Sequence, residues 1–494
     1  MIAKHLRRRL ELLFFFLKKT ETSIKEISEV LSISQRTAKE DIIKLNLAFE
    51  DQLKLPQFIL SQTSGVIKIN PLYKEHAVND AYKLKLLLLK QSASFNFLIL
   101  LTTQGAVHKT VALEQLFITE AYLQKITQQL NQYLKKYQLH ISQQRGTYFL
   151  VGNEQLIRVF SYILIQDSYQ SLEWPFKELS IATIREKTAP ELLKYDHTFS
   201  QSKKRQLSIL CAIFITRCQA GHFSSLPTNE NITAIMKILK ANYDTSALVQ
   251  LNILEVPSNE MRENEILFFN LFSRLFLSDA IDRTQKIKVA KCFYAEDQEY
   301  CHIAREIFEL VMSDYIMDEE TIYLDVYFLV LVHTWYQYMG DTFVAFIDLF
   351  LPSSKFLVQK EAPEIAKIAK KIEPLLQNKN EAIYMGQVIS SLLMASASPQ
   401  LKIYLQLTKN YTAIFLVKNR LSALFNEKNI VFIQDFSEAD FVITDTFEHP
   451  NEQKTFFYLD SIRNPERWTE LITAIQHTYI TKLQTLQTEL TTHL

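Results

Sequence analysis

Glycine is nearly absent, at 7 residues in 494. Nucleotide-binding loops that wrap a phosphate in backbone, and all-β folds built on tight turns, draw on glycine's left-handed conformations. The shortage argues against both and favours a mostly helical chain. Cysteine is scarce too: Cys211, Cys218, Cys292 and Cys301 form no CxxC pair and show no metal-like spacing with histidine. A disulfide framework and a zinc site are excluded on that basis, and reduced thiols in a cytoplasmic protein are expected. No apolar run approaches the ~20 residues that cross a bilayer; the longest candidate runs from Val326 to Val332. The sequence has no Walker-type Gly-Lys-Thr, no HExxH and no GxSxG. No enzyme activity, cofactor or metal is therefore expected. The start, with Arg7, Arg8 and Arg9 before Leu12 to Leu17, has some features of a signal peptide. Glu11 interrupts it and no small-residue cleavage site follows, so an amphipathic first helix is expected.

What is present is ordinary globular material, 48% hydrophobic and 22% charged. The length suggests about three to five domains. Net charge is zero but unevenly spread. Residues 1–145 carry 21 Lys and Arg against 12 Asp and Glu, and the remainder carries 33 against 42. A basic N-terminal third on an acidic body suits a nucleic-acid reader with a regulatory body.

One pattern occurs twice. Leu31-Ser32-Ile33-Ser34, followed by Leu45-Asn46, returns 85 residues later as Leu116-Phe117-Ile118-Thr119, followed by Leu130-Asn131. Each copy predicts a helix, a short turn, and a second helix capped by Ser or Thr. That is the layout of a helix-turn-helix whose second helix enters the major groove.

In the first copy, Leu6, Leu10, Leu13 and Leu17 predict an opening helix, and Ile24, Ile27, Val30 and Leu31 a second. The recognition helix is expected from Gln35 to about Phe49, with Ala38, Ile42, Leu45 and Phe49 inward. Gln35, Arg36, Thr37 and Lys39 then face outward as base or phosphate contacts. Phe58 to Leu60, Ser64-Gly65 and Val66 to Ile69 predict a hairpin, the wing. In the second copy, helices are expected over Asp80–Lys90, Phe95–Thr103, Val111–Leu116 and Glu120–Tyr137. Leu123, Leu130 and Leu134 form its buried stripe, leaving Tyr122, Gln124, Lys125 and Gln128 for contacts. Leu139 to Ser142 and Tyr148 to Val151 predict a second wing. Arg145 stands at its tip, placed for a phosphate or the minor groove.

Residues 155–398 show helical periodicity throughout, consistent with two bundles jointed near Ala280 to Lys291. After residue 400 the pattern changes to short apolar strands at Lys402–Leu407, Ile430–Ile433, Asp440–Thr444 and Lys454–Leu459. Helices at Ala413–Phe425 and Glu466–Leu486 alternate with them, which predicts a small parallel sheet. The fold class expected is mostly α and multidomain, with two N-terminal winged helix-turn-helix modules, two helical bundles and a C-terminal α/β domain.

This order of parts resembles the Mga/AtxA family of Gram-positive transcription regulators. The most specific elements are Ser34-Gln35-Arg36-Thr37 leading to Asp41-Ile42 and Leu45-Asn46, with Thr119 to Asn131. The resemblance implies winged modules at 1–75 and 76–154, phosphotransferase-regulation domains at 155–285 and 286–398, and a domain like the sugar-phosphotransferase IIB component at 400–494. It also implies regulation by histidine phosphorylation through phosphocarrier proteins of that system. His197, after Asp196, and His333, ending the stretch from Asp325, resemble the family's positions; His222 and His302 are further candidates. The last domain departs from a cysteine-type IIB component. Its loop Leu407-Thr408-Lys409-Asn410-Tyr411-Thr412 has neither Cys nor Gly. A thiolate nucleophile and a glycine-lined anion loop are therefore missing, and self-association or sensing is expected in their place.

The leading expectation is a DNA-binding transcription regulator, acting as a homodimer or larger oligomer on virulence or carbohydrate-linked genes, with no membrane partner. A helical protein-binding adaptor is the alternative, and a phosphocarrier the less favoured one.

Overall fold

The computed structural model describes residues 4–19, 21–62, 65–187, 200–242, 256–277, 281–312, 318–342, 363–396, 399–407, 412–446, 454–459 and 462–493. The chain divides into two compact units, Met1–His302 with Val330–Lys360, and Ile303–Leu329 with Glu361–Leu494. The protein is mostly helical, with a four-stranded parallel sheet near the C-terminus.

The first unit opens with α1 (Lys4–Lys18), β1 (Thr22–Ser23), α2 (Ile24–Val30), α3 (Gln35–Leu53), β2 (Ile59–Ser61) and β3 (Val66–Ile69). β3 pairs antiparallel with both β1 and β2. α1 is amphipathic, as expected, but its apolar face is broader than one stripe. Leu10 and the whole run from Leu12 to Phe16 are buried, because α1 packs against both α3 and α4 (Ala77–Lys90). A helix covered on more than one side buries apolar residues over a broader face rather than along one stripe. Val30 is 45% exposed at the end of the short α2.

After α4 the plan repeats as α5 (Ala93–Gln104), β4 (Ala106–His108), α6 (Lys109–Leu116), α7 (Glu120–Leu134), β5 (His140–Gln144) and β6 (Thr147–Val151). β6 lies between β4 and β5, both antiparallel to it. The two three-stranded sheets thus share one topology. α5 ends at Gly105, whose φ of +76° favours glycine; a Cβ there would stand 2.7 Å from Ala220 Cβ.

α8 (Glu154–Tyr169) leads from the second wing into the helices α9 (Ile181–Lys187), α10 (Gln201–Gln219), α11 (Glu230–Ala241) and α12 (Asn259–Phe276). α13 (Arg283–Ala295), α14 (Glu299–Met312) and α15 (Glu319–Met339) follow. α10 is buried continuously from Leu207 to Cys218, and its Phe214 meets Phe269 and Phe272 edge-on at 5.2 and 5.8 Å. Within this core lies a buried ionic chain. Arg158 pairs bidentately with Glu265 and at 2.9 Å with Glu154, which Arg217 also holds at 2.6 Å. The Ser224 amide donates to Glu265 at 2.7 Å, and Arg158 lies 4.3 Å over the Phe214 ring. Burial alone would lower the Arg158 pKa, but Glu265 and Glu154 raise it.

In the second unit α16 (Pro363–Leu376) and α17 (Lys379–Ser396) form a close helical hairpin. Gly386 permits the approach, since a Cβ there would lie 3.1 Å from the Ile365 carbonyl oxygen. β7 (Leu401–Gln406), α18 (Ala413–Leu424), β8 (Ile430–Ile433), β9 (Phe441–Thr444), β10 (Thr455–Tyr458) and α19 (Pro465–His493) complete it. The strands run parallel in the order β10-β9-β7-β8. Leu401, Ile403, Phe441 and Ile443 of the sheet pack with Val417 and Leu421 of α18 and Leu471 and Ile475 of α19. Residues 408–411 of the loop expected to lack phosphate chemistry lie outside the described residues. Among the described residues no single helix is long and apolar enough to cross a membrane.

Candidate nucleic-acid interface

The 85-residue repeat is kept in hydrogen bonds as well as in sequence. The turn residue Ser32 has φ +52° and its counterpart Phe117 has φ +53°. The Ile33 amide donates to the Ser28 carbonyl at 3.0 Å, and the Ile118 amide to Leu113 at 3.3 Å. Ser34 Oγ accepts from the Thr37 amide at 3.1 Å, and Thr119 Oγ1 from the Tyr122 amide at 3.3 Å. A hydroxyl that satisfies an orphan amide in the first turn fixes where the helix begins, so both recognition helices start at the expected residue.

The paired Leu-Asn of the motif has a role that sequence reasoning missed. Leu45 and Leu130 are buried. Asn46 Nδ2 donates to the Ile59 carbonyl and Asn46 Oδ1 accepts from the Ile59 amide, both at 2.8 Å. Asn131 does the same to Ile141, at 3.0 and 2.6 Å. Ile59 and Ile141 lie on β2 and β5, each the edge strand of its sheet. Each asparagine thus ties the wing to the recognition helix through the edge strand's outward backbone groups. The only signal was the recurrence of Asn at the same offset.

The inward face of α3 holds Ala38, Ile42, Leu45 and Phe49, as expected, and that of α7 holds Leu123, Leu130 and Leu134 with Ile126 added. On α3, Gln35, Arg36 and Lys39 are exposed and Thr37 is half-buried, its hydroxyl 2.9 Å from Ser34 Oγ. Arg36 also pairs with Glu40 at 3.0 Å along the helix. On α7, Tyr122, Gln124, Lys125 and Gln128 are all exposed. Further along the two faces diverge. α3 shows Ile43 at 59% and Leu47 at 51% exposure, where α7 has the exposed Gln128 and Gln132. Arg145 is exposed at the tip of the second wing with φ +47°, followed by Gly146 at +80°.

Asp41 was not foreseen. It is buried on α3, and Arg8 and Arg9 of α1 both bind its carboxylate, Arg9 at 3.4 Å. Its counterpart in α7 is the buried Ile126. Part of the N-terminal basic cluster therefore holds the first module together.

The histidines are dispersed. His302 is exposed. His222 is half-buried; its carbonyl accepts from Arg158 at 3.2 Å, and its imidazole pKa is lowered by burial and by Arg217. His333 is buried, 4.4 Å edge-on from the Tyr300 ring. His197 lies outside the described residues. Among the described residues no group of three His, Cys, Asp or Glu side chains is placed to hold a metal ion.

Residues 80–164 match the family model of the Mga helix-turn-helix domain. The match begins within α4, spans the whole second module and ends within α8. No curated protein matches the chain.

Proposed function

On the premise that the chain carries a Mga-type helix-turn-helix domain, and so is a DNA-binding transcription regulator, we propose that both modules engage double-stranded DNA, with the second as the principal base reader. The observation that carries this is the hydroxyl cap shared by Ser34 and Thr119, which sets the first turns of α3 and α7 outward in the same way. α7 offers Gln124 and Gln128, side chains able to pair bidentately with adenine, with Lys125 beside them for guanine or phosphate. Arg145 at the wing tip suits the phosphate backbone or the minor groove. On α3, Gln35, Arg36, Thr37 and Lys39 make the corresponding contacts.

The test is an electrophoretic shift of promoter-length DNA across a salt series, comparing wild type with Arg36→Glu/Lys125→Glu. A shift that weakens with salt and is lost in the double variant is the expected result. No shift at low salt would overturn the proposal. A second use of α3 is favoured by Ile43 and Leu47, whose exposure suits an adaptor surface for protein. In that case Arg36→Glu alone leaves the shift intact and Lys125→Glu removes it.

Finer features of the resemblance belong to the same proposal. Phosphocarrier proteins reach histidines of the central helical domains, with His302 exposed, His222 half-buried and His333 buried, and His197 and His333 the family-like positions. The C-terminal sheet domain serves self-association, and the regulated genes are linked to virulence or carbohydrate use in the cytoplasm.

A further inference from the structure

Behind the second module lies a cleft of about 160 Å³. One wall is formed by α5 and the end of α6, the other by the strap of residues 170–180 that follows α8. The strap is pinned in place. Trp174 Nε1 donates to the Leu179 carbonyl at 2.7 Å, the Leu172 amide donates to Tyr169 at 2.9 Å, and Arg205 lies 5.6 Å from the Trp174 ring. The cleft is therefore preformed, which lowers the ordering cost of filling it.

Its floor is apolar, with Ile99 and Leu100 from α5 and Pro175 from the strap. Of its polar side chains, Asn96 donates to the Lys90 carbonyl and Thr103 to the Ile99 carbonyl, both at 2.7 Å. The side chains of Gln104 and of the exposed Gln115, Lys177 and Glu178 line it and make no hydrogen bond or ion pair among the described residues. Tyr169 also lines it, is 6% exposed, and has a hydroxyl that donates to no protein group there. The hydroxyl is open to solvent in the cleft and is a donor free to meet a ligand.

We propose that this cleft binds a small zwitterion of amino-acid size, its carboxylate on Lys177 and its ammonium on Glu178. The volume is about half the lower bound for drug-sized pockets, which suits a small metabolite. Two adjacent side chains of opposite charge match a molecule with both charges and no net one. The amides of Gln104 and Gln115 and the Tyr169 hydroxyl supply the remaining polar contacts, and Ile99 and Leu100 receive the aliphatic part. A ligand seated there touches Leu116, the last residue of α6 before the turn into α7. Occupancy therefore bears on the helix that faces outward for DNA.

The experiment is isothermal titration of the full chain with each free amino acid, with glucose, and with the best ligand blocked by N-acetylation and C-amidation. Lys177→Gln, Glu178→Gln and Tyr169→Phe are titrated alongside. Glu178→Gln and Tyr169→Phe keep the side-chain shape, and Lys177→Gln removes a charge at an exposed position. At least one amino acid should bind; Kd should weaken by about tenfold in each variant, the scale of one lost hydrogen bond to a charged group; and the blocked form should not bind. Absence of binding by every amino acid overturns the proposal. So does binding that the variants leave unchanged, or glucose binding that they abolish. Because DNA takes no part, the outcome is independent of the DNA-binding proposal.

Discussion

Replacing Asn131 by Ala removes the two hydrogen bonds that join α7 to the edge strand β5, at 3.0 and 2.6 Å to Ile141. A net contribution of about 0.5–1.5 kcal/mol per bond gives about 1–3 kcal/mol for the pair. The freed groups lie on an edge strand and Asn131 is only half-buried, so water can reach them. That favours the lower part of the range, about 1–2 kcal/mol. In local-opening terms this is roughly a 5- to 30-fold faster exchange of the Ile141 amide. Hydrogen–deuterium exchange by mass spectrometry on the full chain, following a peptide across residues 139–145, reads this directly. Asn131→Asp should fall between wild type and Asn131→Ala: its carboxylate still accepts from the Ile141 amide, but it faces the carbonyl with no donor. Asn46→Ala should do the same to a peptide across residues 57–62 and leave β5 unchanged. Unaltered exchange at 139–145 in Asn131→Ala would refute the clamp. Equal acceleration over both modules would also refute it, since that reports global rather than local loosening.

Two further outcomes are expected. Arg158→Met leaves Glu265 buried and uncompensated and should destabilise the chain by about 3–5 kcal/mol, with part recovered in Arg158→Met/Glu265→Gln; urea unfolding followed by tryptophan fluorescence compares the three. Asp325 is buried, and burial followed by the charge of Asp318 pushes its carboxyl pKa up to about 7. The folded state then holds this proton more tightly than the unfolded chain, where an ordinary Asp titrates near about 3.9. Its contribution is therefore present at low pH and is lost as pH rises through the interval up to about 7. Asp325→Asn should flatten that fall, so thermal midpoints at pH 5 and pH 8 should differ less in the variant than in wild type; an equal difference would refute the assignment.

The repeat was legible because everything that defines it is local. Ser34 caps Thr37 three residues on, Thr119 caps Tyr122, and the inward stripes follow helical spacing within one element. The alternating strands of the C-terminal sheet were legible for the same reason. Partners distant in sequence were not. Nothing near Asp41 announces that Arg8 and Arg9 bury it, and Arg158 meets Glu265 from 107 residues away. The residues that cover α1 lie on α3 and α4, so its own periodicity could not show that it is enclosed. Lys85, 1% exposed, is held by Asp167 at 2.9 Å from α8, again beyond the reach of local pattern.

These distant pairings change what the basic N-terminal third means. Its excess of positive charge suggested a broad electrostatic footprint, yet several of its cations face acid within the chain, and the pairs of Lys85 and Lys90 with acids beyond that third take the net excess from +9 to +7. Arg8 and Arg9 hold Asp41, Lys85 holds Asp167, Lys90 holds Glu173, and Lys109 holds Glu120. Arg36 shares its charge with Glu40 in an exposed pair that salt and water screen. On the outward first turns and the second wing tip, Lys39, Lys125 and Arg145 carry no such partner among the described residues. If those three meet phosphates, at a slope of about 0.9 per contact, log affinity should fall with log salt by about 3 per chain. The regional net charge of +9 would have suggested about three times that. A measured slope near the larger value would mean that further exposed cations such as Lys25, Lys44 and Lys135 reach the DNA, or that the internal pairs open on binding.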